Sequence, residues 1–255
     1  MSDPVRVGGY RLVARLGAGG MADVFYSVAS TGRLVAVKVL RATGSAAACH
    51  REYQLTRAAG ADCTAPALGY GTSAAASYLV TAYLPGYRCV TTLTVRPVPA
   101  QRLWKFGAAL VQVLATLHAR GVVHCDVKPA NLLVRGDRVR VIDFGISRYL
   151  GEPWWDDHTV QCSPGWAAPE QLQPVPPTPA VDIFAWGCVL AHLAGGVHPF
   201  GRPGDQDWFQ RVQSAEPDLS GLPRVLGDVV RWSLARHPAD RPSAAELAVT
   251  WAGRR

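Results

Sequence analysis

At Leu84-Pro85-Gly86 the hydrophobic pattern of this 255-residue chain changes period, from the two-residue step of strands to the three- and four-residue steps of helices. Before the break, Tyr10–Leu16, Asp23–Ala29 and Leu34–Leu40 read as an antiparallel meander. The first two flank a glycine cluster, and the third follows a Ser30-Thr31-Gly32-Arg33 turn. Residues 46–59 read as one helix, and further strands are expected at Ala67–Tyr70 and Tyr78–Tyr83. After the break, Leu103, Phe106, Leu110, Val113, Leu114 and Leu117 form one stripe in a helix over 99–120, with Gly121 as its C-terminal cap. Short strands are expected at Leu132–Val134 and Val139–Ile142, and apolar helices at Val181–Leu193, Leu226–Leu234 and Ser243–Trp251. Between Gly145 and about Pro179 runs an irregular stretch rich in Pro, Gly and Trp. A connection of that length is usually functional, or a sign of a missed element. The fold class is α+β: a small antiparallel sheet with one helix, then a mainly helical region.

Composition removes several functions. Hydrophobic residues at 49% and charged residues at 18% describe a globular chain, not a disordered one. The most apolar run, Phe184–Val197, has 14 residues and contains His192, which is too short to span a membrane. No secretory signal is legible at the N-terminus. Six scattered cysteines with no C-x-x-C pair read as reduced thiols, so a cytoplasmic location is expected. The net charge of +7 invites a nucleic-acid reading, but the arginines are spread along the chain without dense runs, and no nucleic-acid partner is expected. The basic residues are almost all arginine; lysine stands only at 38, 105 and 128. A site that needs a slim point charge cannot take the planar guanidinium, so those three positions carry weight.

Two of the lysines lie inside motifs. In Leu16-Gly17-Ala18-Gly19-Gly20-Met21-Ala22-Asp23-Val24, glycines between two strands let backbone N–H groups close over phosphates, although glycine hairpins are common for other reasons. Val35-Ala36-Val37-Lys38 follows, with Lys38 21 residues after Gly17. A lysine among apolar β-formers either snorkels at a strand edge or reaches a partner such as Glu52, and spacing alone leaves both open. His124-Cys125-Asp126-Val127-Lys128-Pro129-Ala130-Asn131 places within six residues a carboxylate to orient a hydroxyl, an ammonium to meet phosphate and an amide oxygen to bind metal. Asp143-Phe144-Gly145 ends an apolar strand 17 residues after Asp126 and can present oxygens to Mg²⁺. Ala168-Pro169-Glu170 closes the irregular stretch, and Asp240-Arg241-Pro242 lies near the C-terminus.

In this order the motifs resemble the eukaryotic-type protein kinase family, in its bacterial Ser/Thr branch, over roughly Tyr10 to Ala252. The resemblance implies a bilobal fold, with residues 1–84 as the ATP-binding lobe and 85–255 as the catalytic lobe. It implies ATP and Mg²⁺ as cofactors and Ser/Thr hydroxyls of protein substrates as acceptors. Cofactor contacts fall to Leu16, Gly17, Ala18, Gly19, Gly20, Val24 and Ala36, with Lys38 on the α- and β-phosphates and paired to Glu52. Thr81 would back the adenine pocket, and the backbones of Ala82 and Leu84 would meet the adenine edge. Asp126 would orient the hydroxyl and accept its proton, and Lys128 would neutralise the γ-phosphate. Asn131 and Asp143 would hold Mg²⁺, and Glu170 would pair with Arg241.

The sequence departs from the family at Ala22, Cys125, Cys162, Ser163 and Trp166. None of these removes a phosphate, metal or proton-transfer group, so an active enzyme is expected. A pseudokinase acting as a nucleotide- or partner-binding module is the alternative, separated by a γ-phosphate transfer assay. A small-molecule kinase would lack the Ala-Pro-Glu segment and its arginine. Ser163 is expected to bond both Asp126 and Lys128. Cys125 stands where relatives carry the arginine that anchors a phosphorylated activation segment. Activity independent of such phosphorylation is therefore expected, with Trp154, Trp155 and Trp166 packing the segment and Thr159 no switch. Arg148 is the nearby residue that could take over the anchoring. Regulation is expected from a separate partner.

Overall fold

The computed structural model describes residues 6–41, 46–74, 76–93, 98–152, 162–202, 205 and 207–252. Contacts within it divide the chain into two units. One runs to Gly86 and takes in Asp143–Gly145; the other comprises Tyr87–Ile142 and the chain from Ile146 onward.

The first unit is a six-stranded antiparallel sheet with one helix. Its strands are β1 (Arg6–Val7), β2 (Tyr10–Ala18), β3 (Ala22–Val28), β4 (Leu34–Leu40), β5 (Ala67–Thr72) and β6 (Ser77–Ala82), in the order β1-β2-β3-β4-β6-β5. The helix is α1 (Ala46–Ala59). Strand alternation decides what faces what. Val35, Val37 and Val39 of β4 point into a core with Val7, Phe25 and Val80. The intervening Ala36 and Lys38 therefore take the opposite face. On that face Leu79, cross-strand from Lys38, packs with Ala22, Leu40 and Cys49 of α1. The buried positions of α1 are Cys49, Glu52, Leu55, Thr56 and Ala59, a helical stripe with a carboxylate in its middle.

The second unit is mainly helical: α2 (Ala100–Ala119), α3 (Ala180–Gly195), α4 (Trp208–Ser214), α5 (Arg224–Ser233) and α6 (Ala244–Ala252). Short strands β7 (Arg88–Cys89), β9 (Leu132–Arg135) and β10 (Arg138–Val141) form one sheet in the order β10-β9-β7, and β8 (Val122–Val123) pairs with β11 (Arg148–Tyr149). The core helix is α3, buried from Val181 to Ala194 except at His192. Its Trp186 donates Nε1–H to the Gly107 carbonyl of α2 at 3.1 Å. A side chain at Gly107 would bring its Cβ to 2.7 Å from the Trp251 ring, so this glycine lets α2 and α6 close together. Phe106, expected in the buried stripe of α2, is only half-buried, and Gly107 takes that place in the seam.

The irregular stretch is broken by β11 and by a turn of 3₁₀ helix at Pro169–Leu172, both too short to leave a periodic signal. Helix α4 escaped the pattern for the same reason, because only Trp208 and Val212 anchor it. Trp154, Trp155 and Thr159 lie outside the described residues. Gly121 does cap α2, at φ +71°.

One ion pair ties the end of this stretch to the C-terminal helices. The Arg241 side chain is fully buried and meets the Glu170 carboxylate in two bonds of 2.6 and 2.9 Å. Its other donors reach the carbonyls of Ala235, Ala180 and Arg236, and its guanidinium lies 4.9 Å over the Phe184 ring. All five N–H groups are thus satisfied, the condition under which a buried charge is tolerated. Glu170→Ala leaves that charge without its counter-ion and is expected to cost about 3–5 kcal/mol in urea unfolding. A loss below about 1 kcal/mol would show that the carbonyls alone suffice.

Candidate active site

In the first unit, register brings the expected nucleotide residues to one face of the sheet. Val24 lies opposite both Gly17 and Lys38, and Ala36 lies opposite Thr81. Val24, Ala36, Lys38 and Thr81 are half-buried, so this apolar floor is left partly open within the unit. The loop between β2 and β3 is exposed from Leu16 to Met21, and the Gly19 N–H closes it by donating to the Ala22 carbonyl at 2.9 Å. Gly17 and Gly20 have no positive φ, and a Cβ on either would meet nothing within 4 Å. Neither backbone strain nor internal packing accounts for glycine at these two positions.

Lys38 does not snorkel. Its ammonium donates to Glu52 Oε1 and Oε2 at 2.7 and 2.8 Å, and to Asp143 Oδ1 at 2.7 Å. Burial alone would push the lysine pKa down, but Glu52 and then Asp143 outweigh it and hold it above the ordinary lysine value. Burial pushes the Glu52 carboxyl up, against the pull of Lys38. Asp143 adopts φ +70°, rare outside glycine, and its Oδ1 also accepts the Gly145 N–H at 3.3 Å. A Cβ on Gly145 would stand 3.2 Å from Lys38 Nζ and 3.3 Å from Asp143 Oδ1. Glycine there leaves room for the three charged groups to meet.

In the second unit, the loop after β8 is held from beneath by Asp182 of α3. Its fully buried carboxylate accepts the N–H groups of His124 and Cys125, each at 2.8 Å, and lies 2.9 Å from His118 Nε2. Cys125 is held at φ +65°, and Gln171 Nε2 donates to its carbonyl at 3.0 Å. Asp126 Oδ2 accepts from Lys128 Nζ at 2.8 Å and Asn131 Nδ2 at 2.9 Å. Asp126 Oδ1 is buried without a hydrogen-bond partner among the described residues. Lys128 also donates to Ser163 Oγ at 2.5 Å. The expected bond from Ser163 to Asp126 is not formed, because Lys128 stands between them and, with Asn131, takes the one oxygen that is engaged.

Cys125 offers no charge. Burial, then the neighbouring Asp182 carboxylate, push its thiol well above the usual range, and Sγ contacts only the Val123 carbonyl, at 3.5 Å, among the hydrogen bonds of the described residues that involve it as donor. Arg148 is buried, with Nη1 donating to the carbonyls of Ile146 and Ser147 at 3.2 and 3.0 Å. Trp166 packs edge-on against His192 and His198, with ring centroids 5.5 and 5.0 Å away. The sequence reading gave no supporting role to Asp182, His118, Gln171 or Ser147, whose hydroxyl donates to the His124 carbonyl at 2.7 Å. For Asp182 a signal existed: it is the one acid in the apolar run of α3.

A family model described as the protein kinase domain matches residues 10–251. The "Probable serine/threonine-protein kinase PkwA" of Thermomonospora curvata is 36% identical over 258 residues, 96% of this chain and 34% of that protein. The "Serine/threonine-protein kinase AfsK" of Streptomyces coelicolor is 32% identical over 96% of this chain and 32% of its own length. The "Serine/threonine-protein kinase PknK" of Mycobacterium tuberculosis is 32% identical over 93% of this chain and 23% of its own. The chain thus spans about a third or less of the length of these curated relatives. A match running from the first long strand to the last helix explains why a strand lysine, a buried helix glutamate and an aspartate loop occur in this order: the chain belongs to the protein kinase domain family.

Proposed function

We propose that this chain transfers the γ-phosphate of ATP to serine and threonine hydroxyls of proteins, with residues 1–84 as the nucleotide lobe and 85–255 as the catalytic lobe. The observation that carries this reading is Asp126. One of its oxygens is fixed by Lys128 and Asn131, and the other is buried with no donor among the described residues. A buried carboxylate oxygen left unsatisfied is costly, and a substrate hydroxyl donating to it removes the cost.

In the proposed step the hydroxyl oxygen bonds to the γ-phosphorus as the bond to the β,γ-bridging oxygen breaks. ADP leaves with that oxygen, and the hydroxyl proton passes to Asp126 Oδ1. Lys128, steadied by Asp126 and Ser163, presents its ammonium to the γ-phosphate. Lys38, set in place by Glu52, meets the α- and β-phosphates. The open glycines at 17 and 20 admit phosphate oxygens close to backbone N–H groups, which supports Leu16, Gly17, Ala18, Gly19 and Gly20 as the cover. Asn131 and Asp143 suit a hard cation: Asn131 commits its Nδ2 to Asp126, which leaves its amide oxygen, and Asp143 brings a carboxylate. When bound there, Mg²⁺ supplies positive charge to the phosphates. At the adenine edge the N–H groups of Ala82 and Tyr83 are taken by the carbonyls of Pro66 and Leu34, so Ala82 can offer only its carbonyl and Leu84 its N–H. No helix among the described residues is long and apolar enough to cross a membrane. The proposed setting is the cytoplasm, with a separate protein as regulator.

The test is γ-phosphate transfer to a Ser/Thr peptide in Mg²⁺. Lys38→Met is expected to lower kcat/KM by orders of magnitude, since it removes charge stabilisation from a site where that charge is preorganised. Asp143→Asn is expected to weaken Mg²⁺-dependent nucleotide binding as well. Near-normal transfer by either variant, or nucleotide binding without transfer by the unmodified chain, would overturn the reading.

Thr81 is small and half-buried, so ATP-competitive inhibitors carrying a bulky aromatic group are expected to enter past it. Thr81→Met is expected to exclude them while ATP still binds. Equal inhibition of both forms would refute the placement of Thr81.

Cys125 carries no charge, and the buried Arg148 guanidinium is engaged by carbonyls of its own strand region, which supports activity independent of activation-segment phosphorylation. Dephosphorylated enzyme and Thr159→Ala are both expected to keep their rate on a peptide substrate. A fall of about tenfold, or about 1.4 kcal/mol of barrier, would show that a phosphate orders the segment.

A further inference from the structure

Glu170 and Gln171 are neighbours on the 3₁₀ turn at Pro169–Leu172, and the fold uses them in different directions. Glu170 goes to the buried Arg241, which fixes the turn against the end of the chain. Gln171 is buried as well, and its side-chain amide works at both ends. Oε1 accepts the Ala168 N–H at 2.9 Å, and Nε2 donates to the Cys125 carbonyl at 3.0 Å. The partners settle which end is which, since an N–H needs the oxygen and a carbonyl needs the nitrogen. The first bond caps the turn, a service that glutamine and glutamate perform alike at this position. The second leaves the turn and reaches 46 residues back along the chain, which capping does not require.

The carbonyl it reaches shares a peptide plane with the Asp126 N–H, which donates to His124 Nδ1 at 3.2 Å. His124 Nε2 lies 3.2 Å from the Ile142 carbonyl, so the ring proton sits on Nε2 and leaves Nδ1 to accept. The plane between Cys125 and Asp126 is thus gripped at its N–H by His124 and at its C=O by Gln171. On the other flank of Cys125, the N–H is held by Asp182. A left-handed residue other than glycine persists only where its surroundings over-determine it, and Cys125 at φ +65° has a clamp on each side. With the Gln171 donor removed, that plane gains freedom to turn, and Asp126 turns with it. The segment before Gln171 touches the same loop a second time, where Lys128 donates to Ser163 Oγ. The Trp166 N–H closes a turn onto the Ser163 carbonyl at 3.1 Å. From Ser163 to Gln171 the segment is therefore fastened to the loop at both ends, by a hydroxyl and by an uncharged amide.

We propose that Gln171 is a positioning residue for Asp126. Its amide latches the segment that carries Ser163 onto the Cys125–Asp126 peptide, and so holds the Asp126 carboxylate at the angle at which a hydroxyl meets it. The role in transfer rests on the reading of Asp126 as the proton acceptor. The latch itself is measured without nucleotide, so failure of one reading is distinguishable from failure of the other.

The variant is Gln171→Met, which keeps the length of the side chain and removes both donor and acceptor. Amide hydrogen exchange is read by NMR on the full chain without nucleotide. Exchange at Asp126 is expected to quicken by at least about tenfold, while the amides of α2 and α6 keep their rates. In peptide phosphorylation kcat is expected to fall by at least about tenfold, or about 1.4 kcal/mol of barrier. KM for ATP is expected to stay within about twofold, because the groups proposed for the adenine and for the α- and β-phosphates lie in the first unit. Glu246→Gln, at the exposed capping position where Glu246 Oε2 accepts the Ser243 N–H, is expected to change none of these readings. If Gln171→Met does not fold by circular dichroism, Gln171→Asn replaces it with the same expected direction, its amide being one methylene too short to reach both partners. Faster exchange confined to residues 168–173, with Asp126 unchanged, would reduce Gln171 to a cap and overturn the proposal. So would a kcat within about twofold of the unmodified chain, or exchange that rises equally in α2 and α6. Absence of transfer by the unmodified chain overturns the reading of Asp126 instead, and exchange at Asp126 then decides on the latch alone.

Discussion

A single carboxylate, Asp182, holds the loop after β8 in shape. It sits fully buried in the first turn of a helix whose only other polar side chain is His192, and binds two successive backbone amides, His124 and Cys125, at 2.8 Å each. Bonds to backbone amides hold the loop wherever the side chains point. That is what permits Cys125 its left-handed backbone at φ +65°, a conformation a non-glycine residue does not choose unaided. From that fixed point the rest follows in order. His124 turns inward, with its Nδ1 accepting the Asp126 N–H, Asp126 faces Asn131 and Lys128, and the 3₁₀ turn at Pro129–Asn131 leads into β9. Because α3 is the core of the second unit, the loop inherits the rigidity of the best-packed element.

The first unit solves a similar problem with two acids and one base. A helix that buries Glu52 in its apolar stripe is stable only if a cation comes to meet it, and alternation on β4 delivers Lys38 to that side. Asp143, from far along the sequence, shares the same ammonium. Taken together the two units use opposite logic. In one, a half-buried lysine is surrounded by acids. In the other, a buried acid is contacted by an ammonium and an amide, and one of its oxygens is left over.

Much of this was legible in the residues. The alternation Leu34-Val35-Ala36-Val37-Lys38-Val39-Leu40 fixes a strand and a lysine face, and helix α1 falls where its pattern puts it, over Ala46–Ala59. The pairing of Lys38 with Glu52 was not decidable from spacing, because it depends on how a helix crosses a sheet, and no local rule gives that angle. What Asp182 and Gln171 hold stayed hidden for a related reason. Their partners are backbone groups more than forty residues away, and a backbone amide leaves no mark in a sequence. The Ser163–Asp126 bond was expected from the family pattern and is absent because a lysine side chain reaches both groups and separates them. Short elements such as α4, with two buried positions, and β11, with two residues, were lost because so few positions carry no period.

The near-exclusion of lysine has a practical side. Lys38 and Lys128 have their ammonium groups tied into ion pairs at 14% and 22% exposure, whereas Lys105 is 47% exposed on the outside of α2. Apart from the amino terminus, a reagent that acylates amines therefore meets only three side chains, one in each unit's polar cluster and one on a surface helix. The surface site supplies an internal standard for reagent strength. Acylation at the other two then reads, residue by residue, how often each ion pair opens, with the many guanidinium groups silent throughout. A chain that almost abandoned lysine has in effect labelled the polar cluster of each unit for the chemist.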